Sequence, residues 1–260
     1  MIPSMWIAKT GLDAQQNNMD IISNNLANIN TNGFKKSRAV FEDLVYKSKN
    51  YENKNYYEKE NSENFFDAGA GSKTREIQKN FSQGNLLRTD ENKDIAINGD
   101  GFFQVQMPDG STAYTRNGSF TINKNRKLIN KNGLLMKPNI MLPENFTNLY
   151  IDKNGIVSIM IDDQKEKIQI GQITLAIFAN NDGLESIGEN LYKETSLSGE
   201  PFESVPGTYD TGELKQGYLE ESNVNIAEEL INMIQTQRAY EINSKSISVS
   251  DKMLQKICEL

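Results

Sequence analysis

Asp152, Asn154 and Gly155 are spaced like the opening of a calcium loop, in which carboxylate and amide oxygens recur at alternate positions. Such a loop needs glycine at its sixth position and a bidentate Glu at its twelfth. Those positions hold Val157 and Asp163, so the stretch reads as a hairpin instead. Asn98-Gly99-Asp100-Gly101 is a glycine-rich turn that opens no helix, and a dinucleotide cradle is not supported. Asp162 and Asp163 are adjacent, and neighbours on a strand point to opposite faces, so they make no catalytic carboxylate pair. Serines are plentiful, but the chain has no histidine, which removes a Ser-His-Asp site and the commonest zinc ligand together. Cys258 is the one cysteine, so no internal disulfide can form, and no base accompanies the thiol. These residue types predict no catalytic site, no cofactor and no metal: the chain reads as a non-enzyme.

The elements around these residues are more informative. From Asn225 to Leu260 no Pro or Gly interrupts the chain. Steps of four and three give Ile226, Leu230, Met233, Gln237, Tyr240, Ser244, Ile247, Asp251, Leu254 and Cys258, seven of them apolar or aromatic. A second stripe runs through Ala239, Ile242, Val249, Met253 and Ile257. A helix of this length spans about 50 Å. Two apolar stripes need two sets of neighbours, one from this chain and one from another molecule. Residues 4–29 predict a second long helix, capped by Ser4, with the seam Met5, Ala8, Leu12, Gln15, Met19, Ile22, Leu26 and Ile29. It closes in an Asn-rich run, and Gly33 supplies a turn.

Between the helices the pattern changes. Residues 47–64 are charged, rich in Asn and Tyr and without a period, and read as an extended loop ordered on contact. Short runs such as Phe102–Gln106, Thr112–Thr115 and Ile156–Met160 then alternate with Asn-Gly and Asp-Gly pairs at residues 98, 109, 117, 132 and 154. Both residues of such a pair accept positive φ, so each predicts a tight hairpin. The expected fold class is α+β: long N- and C-terminal helices paired as a coiled-coil-like core, with an inserted antiparallel all-β domain. The expected boundaries are 1–33 and 222–260 for the helical core, 34–83 and 201–221 for an extended connecting region, and 84–200 for the β domain.

With 260 residues, 37% apolar content and a net charge of -7, the chain suits an extended shape and disfavours nucleic acid and anionic membrane surfaces as partners. No run is long and apolar enough to span a bilayer, so it is not expected to be membrane-embedded. The N-terminus lacks a secretory pattern, and composition alone indicates the cytoplasm.

The motifs change that last expectation. Ser23-Asn24-Asn25-Leu26-Ala27-Asn28 with Thr31-Asn32-Gly33-Phe34-Lys35 resembles the N-terminal signature of the flagellar basal-body rod and hook protein family. Glu229-Leu230-Ile231-Asn232-Met233-Ile234-Gln235-Thr236-Gln237-Arg238-Ala239-Tyr240-Glu241 resembles its C-terminal signature. Asp94-Ile95-Ala96-Ile97-Asn98-Gly99-Asp100-Gly101-Phe102-Phe103 and Tyr114-Thr115-Arg116-Asn117-Gly118-Ser119-Phe120 resemble motifs of its longer members. The opening from Ser4 to Gln16 narrows the likeness to the distal-rod branch, and the likeness is weakest from Lys47 to about Gln83.

The resemblance implies a structural subunit of a hollow helical drive shaft that carries torque from motor to hook. It implies self-association into a helical homopolymer, and contacts with other rod proteins, the hook protein, and ring proteins of the periplasm and outer membrane. It also implies passage through the flagellar type III export apparatus without a cleaved signal peptide, and a place in the rod across the periplasm. Seams and signatures together nominate Met5, Leu12, Met19, Ile22, Leu26, Asn28, Gly33, Phe34, Ile226, Leu230, Met233, Ile234, Tyr240, Ile247 and Leu254 for subunit assembly. Two other readings stay open. One is a different axial rod or hook subunit; the other is a cell-wall-active enzyme, for which no carboxylate pair stands out.

Overall fold

The computed structural model describes residues 3–45, 47–49, 66–144, 146–161, 164–209 and 211–259. It is an α+β chain that divides into two units. Residues 1–26, 37–78 and 226–260 form the first; 27–36 and 79–225 form the second.

The first unit holds helix α1 (Pro3–Ala27) and helix α2 (Ile226–Cys258). α2 carries Glu228 and Glu229 in its first turn and Lys256 in its last, charges that complement the helix dipole. Strands Ser37–Asp43 and Ser72–Lys79 form a two-stranded sheet in this part of the chain. Both lie in the stretch 34–83 expected as an extended connecting region; the first escapes a period-two reading because it alternates poorly between buried and exposed positions. Lys47–Lys49 pairs antiparallel with Phe66–Ala68. The rest of the expected 47–64 loop lies outside the described residues, as do Asp162 and Asp163.

The second unit is the β domain. Its largest sheet has seven strands in the order Glu185–Gly188, Leu191–Lys193, Thr112–Thr115, Phe103–Gln106, Leu135–Lys137, Leu128–Asn130 and Phe120–Ile122. All its described ladders are antiparallel. A three-stranded sheet, Phe146–Ile151, Ile156–Ile161 and Gln164–Gln172, adds a second layer of apolar side chains. Ile95, Ile97, Phe103, Phe120, Leu128, Met136, Val157, Ile159, Ile173 and Leu214 are among the buried residues of the joint core. Strand Glu213–Gln216 pairs with Ile95–Asn98, and Tyr218–Glu220 pairs with Leu86–Arg88. The stretch expected as a connecting region over 201–221 therefore carries structural strands of this domain. Its Gly and Pro spacing hides them because each is only three or four residues long.

Of the Asn-Gly and Asp-Gly pairs that begin at residues 98, 109, 117, 132 and 154, three make hairpins. The turns at Asp109-Gly110, Asn132-Gly133 and Asn154-Gly155 each join strands that pair directly, and the glycine alone takes positive φ. The other two do different work. Asn117-Gly118 joins Thr112–Thr115 to Phe120–Ile122, which have three other strands between them in the sheet. A Cβ on Gly118 would overlap the carbonyl oxygen of Ile95, which it approaches because Ile95 N–H donates to Gly118 O at 3.0 Å. Close backbone approach, not turn geometry, requires that glycine. Asn98-Gly99 carries the chain from Ile95–Asn98 into Phe103–Gln106, strands of different sheets.

Candidate assembly faces

α1 presents two covered faces. One packs on α2 through matched pairs. Ser4 Oγ lies 3.4 Å from Ser250 Oγ, Asn18 Nδ2 donates to Thr236 Oγ1 at 2.9 Å, and Asn25 Nδ2 donates to Glu229 Oε2 at 3.2 Å. Gly11 sits against the side chain of Asn243. Each step of seven up α1 meets a step of seven back along α2, so the helices run antiparallel. The other covered face meets the strand Ser72–Lys79 and its approach. Asn17 Nδ2 donates to Thr74 Oγ1 at 3.3 Å, and Gly71 closes on Thr10. Ala14 and Ile21 are buried on that side.

Asn25 ties these parts together. Its amide donates to Ser37 O at 2.8 Å and accepts from Ser37 N–H at 2.9 Å, which completes a strand-like bridge. Its remaining N–H reaches the buried carboxylate of Glu229. An amide this deeply buried costs stability unless its hydrogen-bonding groups are used, and here each polar atom is.

The nominated residues separate under this geometry. Ile22 is buried against its neighbours, and Met5, Leu12, Met19, Leu26, Asn28, Met233, Ile247 and Leu254 are half-buried. Ile226, Leu230, Ile234 and Tyr240 are exposed. On α2 three members of the expected seam, Met233, Ile247 and Leu254, turn inward, while Ile226 and Tyr240 stay exposed. Leu230, Gln237, Ser244 and Asp251 are exposed, and the contact runs one position earlier, through Glu229, Thr236, Asn243 and Ser250. A search for apolar residues could not find that half of the contact, because small and polar side chains fill it. The signal was present all the same: Ser4, Gly11, Asn18 and Asn25 recur every seventh position. Outward-facing apolar side chains remain in number on α2. Ile231, Ile242, Val249, Met253 and Ile257 are all exposed, Ile242 at 68% and Ile257 at 67%.

Gly33 and Phe34 belong to the second unit and are buried there. Gly33 takes φ 71°, and a Cβ on it would come within 2.7 Å of Asn117 N. Beside it the motifs noted in the sequence converge. Lys35 Nζ makes a 2.6 Å ion pair with Glu220 Oε1, both side chains fully buried, and donates to Ser82 O at 2.8 Å. Gly84 N–H donates to the same carboxylate oxygen at 3.0 Å. Arg116 stands 3.6 Å from Glu220 Oε2, donates to Gly99 O at 2.8 Å and lies over the Phe102 ring. Burial pulls the Lys35 ammonium below its usual range against the opposing pull of Glu220, and burial likewise lowers Arg116. Lys35, Arg116 and Glu220 were not singled out as a group from the sequence, since residues 35, 116 and 220 are too far apart for any spacing rule to join.

Comparison with known proteins accounts for most of the chain. The family model described as flagella basal body rod protein matches residues 5–35. The flagellar hook protein FlgE/F/G D1 domain model matches residues 96–159, and the flagellar basal body rod FlgEFG protein C-terminal model matches residues 215–260. The flagellar basal-body rod protein FlgG of Buchnera aphidicola subsp. Acyrthosiphon pisum is 55% identical over 260 residues, covering 100% of each chain. Its counterpart in Buchnera aphidicola subsp. Schizaphis graminum is 56% identical over 260 residues, again covering 100% of both. The FlgG of Borreliella burgdorferi is 47% identical over 256 residues, which is 98% of this chain and 97% of that one.

Proposed function

The chain belongs to the flagellar basal-body rod and hook family, and from that premise we propose that α1 and α2 form the coiled-coil-like core of a helical polymer, the distal part of the rod. The protein is a structural subunit of the flagellar basal-body rod and not an enzyme. The single observation that carries the polymer reading is the unpartnered apolar surface of α2, from Ile226, Leu230 and Ile234 round to Ile231, Ile242 and Val249. Among the described residues these side chains are left about half exposed or more, and copies of the chain supply the missing cover. Full burial of an exposed side chain of this kind contributes roughly 1.5–3 kcal/mol, and these, already about half covered, gain about half of that. An open helical array needs unlike faces in contact, and separate stripes on one helix provide them.

The shaft so formed crosses the periplasm and transmits torque to the hook. Its partners are further copies, other rod proteins, the hook protein and the surrounding ring proteins of the periplasm and outer membrane. The chain reaches its place through the type III export apparatus, without a cleaved signal peptide. A chain with a single cysteine has no disulfide to reduce before export. Electron microscopy of basal bodies from a deletion strain tests the assignment. The outer half of the rod is lost while the inner half persists; a complete rod in that strain would refute it.

A further inference from the structure

The polar stripe between α1 and α2 is matched pair by pair. Ser4 faces Ser250, Asn18 faces Thr236 and Asn25 faces Glu229, each within 3.4 Å. The fourth pair is matched by size. A Cβ on Gly11 would lie 2.9 Å from Asn243 Nδ2, so the larger side chain on α2 occupies the space that glycine leaves on α1. Gly11 is interior to a helix, where glycine otherwise weakens the element.

We propose that this stripe is a register lock, which fixes one antiparallel alignment of the terminal helices by steric and polar matching. Apolar seams repeat nearly identically from one heptad to the next and tell registers apart weakly, whereas buried polar residues specify register. A slip of seven residues in one direction sets Asn243 against Asn18 and carries Glu229 beyond the end of α1, which leaves a buried carboxylate without its donor. A slip the other way sets Asn243 against Ser4 and Glu229 against Asn18, so the carboxylate keeps an amide donor while Asn25, held in place by its contacts to Ser37, loses the acceptor of its remaining N–H. The lock decides which outward side chains stand side by side. In the observed register the exposed Trp6 and Ile7 of α1 lie at the level of Ser248 and Ile247 on α2, within one turn of the exposed Val249. The composite face therefore exists in one alignment only. This consequence rests on the reading of the helices as the polymer core; the register itself does not.

The test replaces Ser4 and Ser250 with cysteine in a full chain carrying Cys258→Ser, expressed as the sole copy. Mild oxidation of the whole-cell extract is followed by non-reducing electrophoresis, which reads the intramolecular crosslink in free and assembled chain alike. Sedimentation with basal bodies is scored separately and reports on the polymer reading alone. The reporter pair is expected to crosslink efficiently. Gly11→Asn alone, which sets two amide side chains in the space of one, is expected to lose most of the crosslinked band, and the reciprocal exchange Gly11→Asn with Asn243→Gly to restore it. The lock is overturned if the parent reporter fails to crosslink, if Gly11→Asn leaves the band unchanged, or if the exchange does not rescue it.

Discussion

Lys35 shows how one buried charge organises its surroundings. Its ammonium is held by Glu220 and by the Ser82 carbonyl, while Arg116 approaches the far oxygen of the same carboxylate. Lys35→Met removes one partner and leaves Glu220 buried with weaker compensation. The expected loss is about 3–5 kcal/mol, read as a lower thermal midpoint of the β domain. Lys35→Met combined with Glu220→Leu is expected to lose less than the sum of the two single changes, which a double-mutant cycle measures. Tyr192 offers the opposite case. Its side chain is fully buried, yet among the described residues its hydroxyl has no hydrogen-bond partner. Burial pushes that hydroxyl, and that of Tyr114, far above the usual tyrosine value. Below pH 10 both states keep the proton; above it the unfolded chain loses the proton first, so stability falls as pH rises beyond about 10. Tyr192→Phe is expected to be neutral or slightly stabilising at pH 7, and to reduce that alkaline loss. Denaturant titrations at pH 7 and pH 10.5 check both.

At the scale of the element, α2 has faces with separate tasks. Glu229, Thr236, Asn243 and Ser250 meet α1, while Ile231, Ile242 and Val249 point away from it. Ile231→Ser with Ile242→Ser is therefore expected to leave the fold of the single chain unchanged by circular dichroism. The same change is expected to abolish recovery of the chain with basal bodies. Normal incorporation of this double variant would show that the outward stripe does not bind copies. The β elements divide their glycines in a parallel way. Gly133 serves a hairpin, whereas Gly33 combines φ 71° with a backbone contact on Asn117. Gly33→Ala meets both strain and clash, and should cost more than the ~1 kcal/mol of a strained turn position alone. A markedly larger drop in thermal midpoint for Gly33→Ala than for Gly133→Ala is the expected comparison.

Over the whole molecule, burial is unevenly distributed between the two units. The β domain encloses a core that includes Ile95, Phe103, Phe120, Val157, Ile159 and Leu214. Along α2 only Glu229, Thr236 and Ser250 are buried, none of them apolar. Amide exchange in the purified chain is expected to be slow in strands such as Phe103–Gln106 and fast along α2, because local stability follows buried apolar contact. In the assembled rod α2 is expected to become protected as neighbouring copies cover it. Equal protection of α2 in free and assembled chain would contradict the assembly reading.

Much of this plan was legible in the residue order. Helices declare themselves through a period of 3.6, and a run without Pro or Gly gave α2 almost to the residue. Alternation and Asn-Gly pairs located most strands of the β domain, and the absence of histidine excluded whole classes of catalysis. What the sequence could not supply was the identity of partners distant along the chain. Lys35 finds Glu220, Asn25 finds Glu229 and Gly118 meets Ile95 because the fold closes loops that no local pattern encodes. Local rules read the conformational preference of each segment, and those preferences are set by neighbours a few residues away. Which polar groups satisfy one another inside the chain is set by three-dimensional packing, and only the tertiary structure decides it.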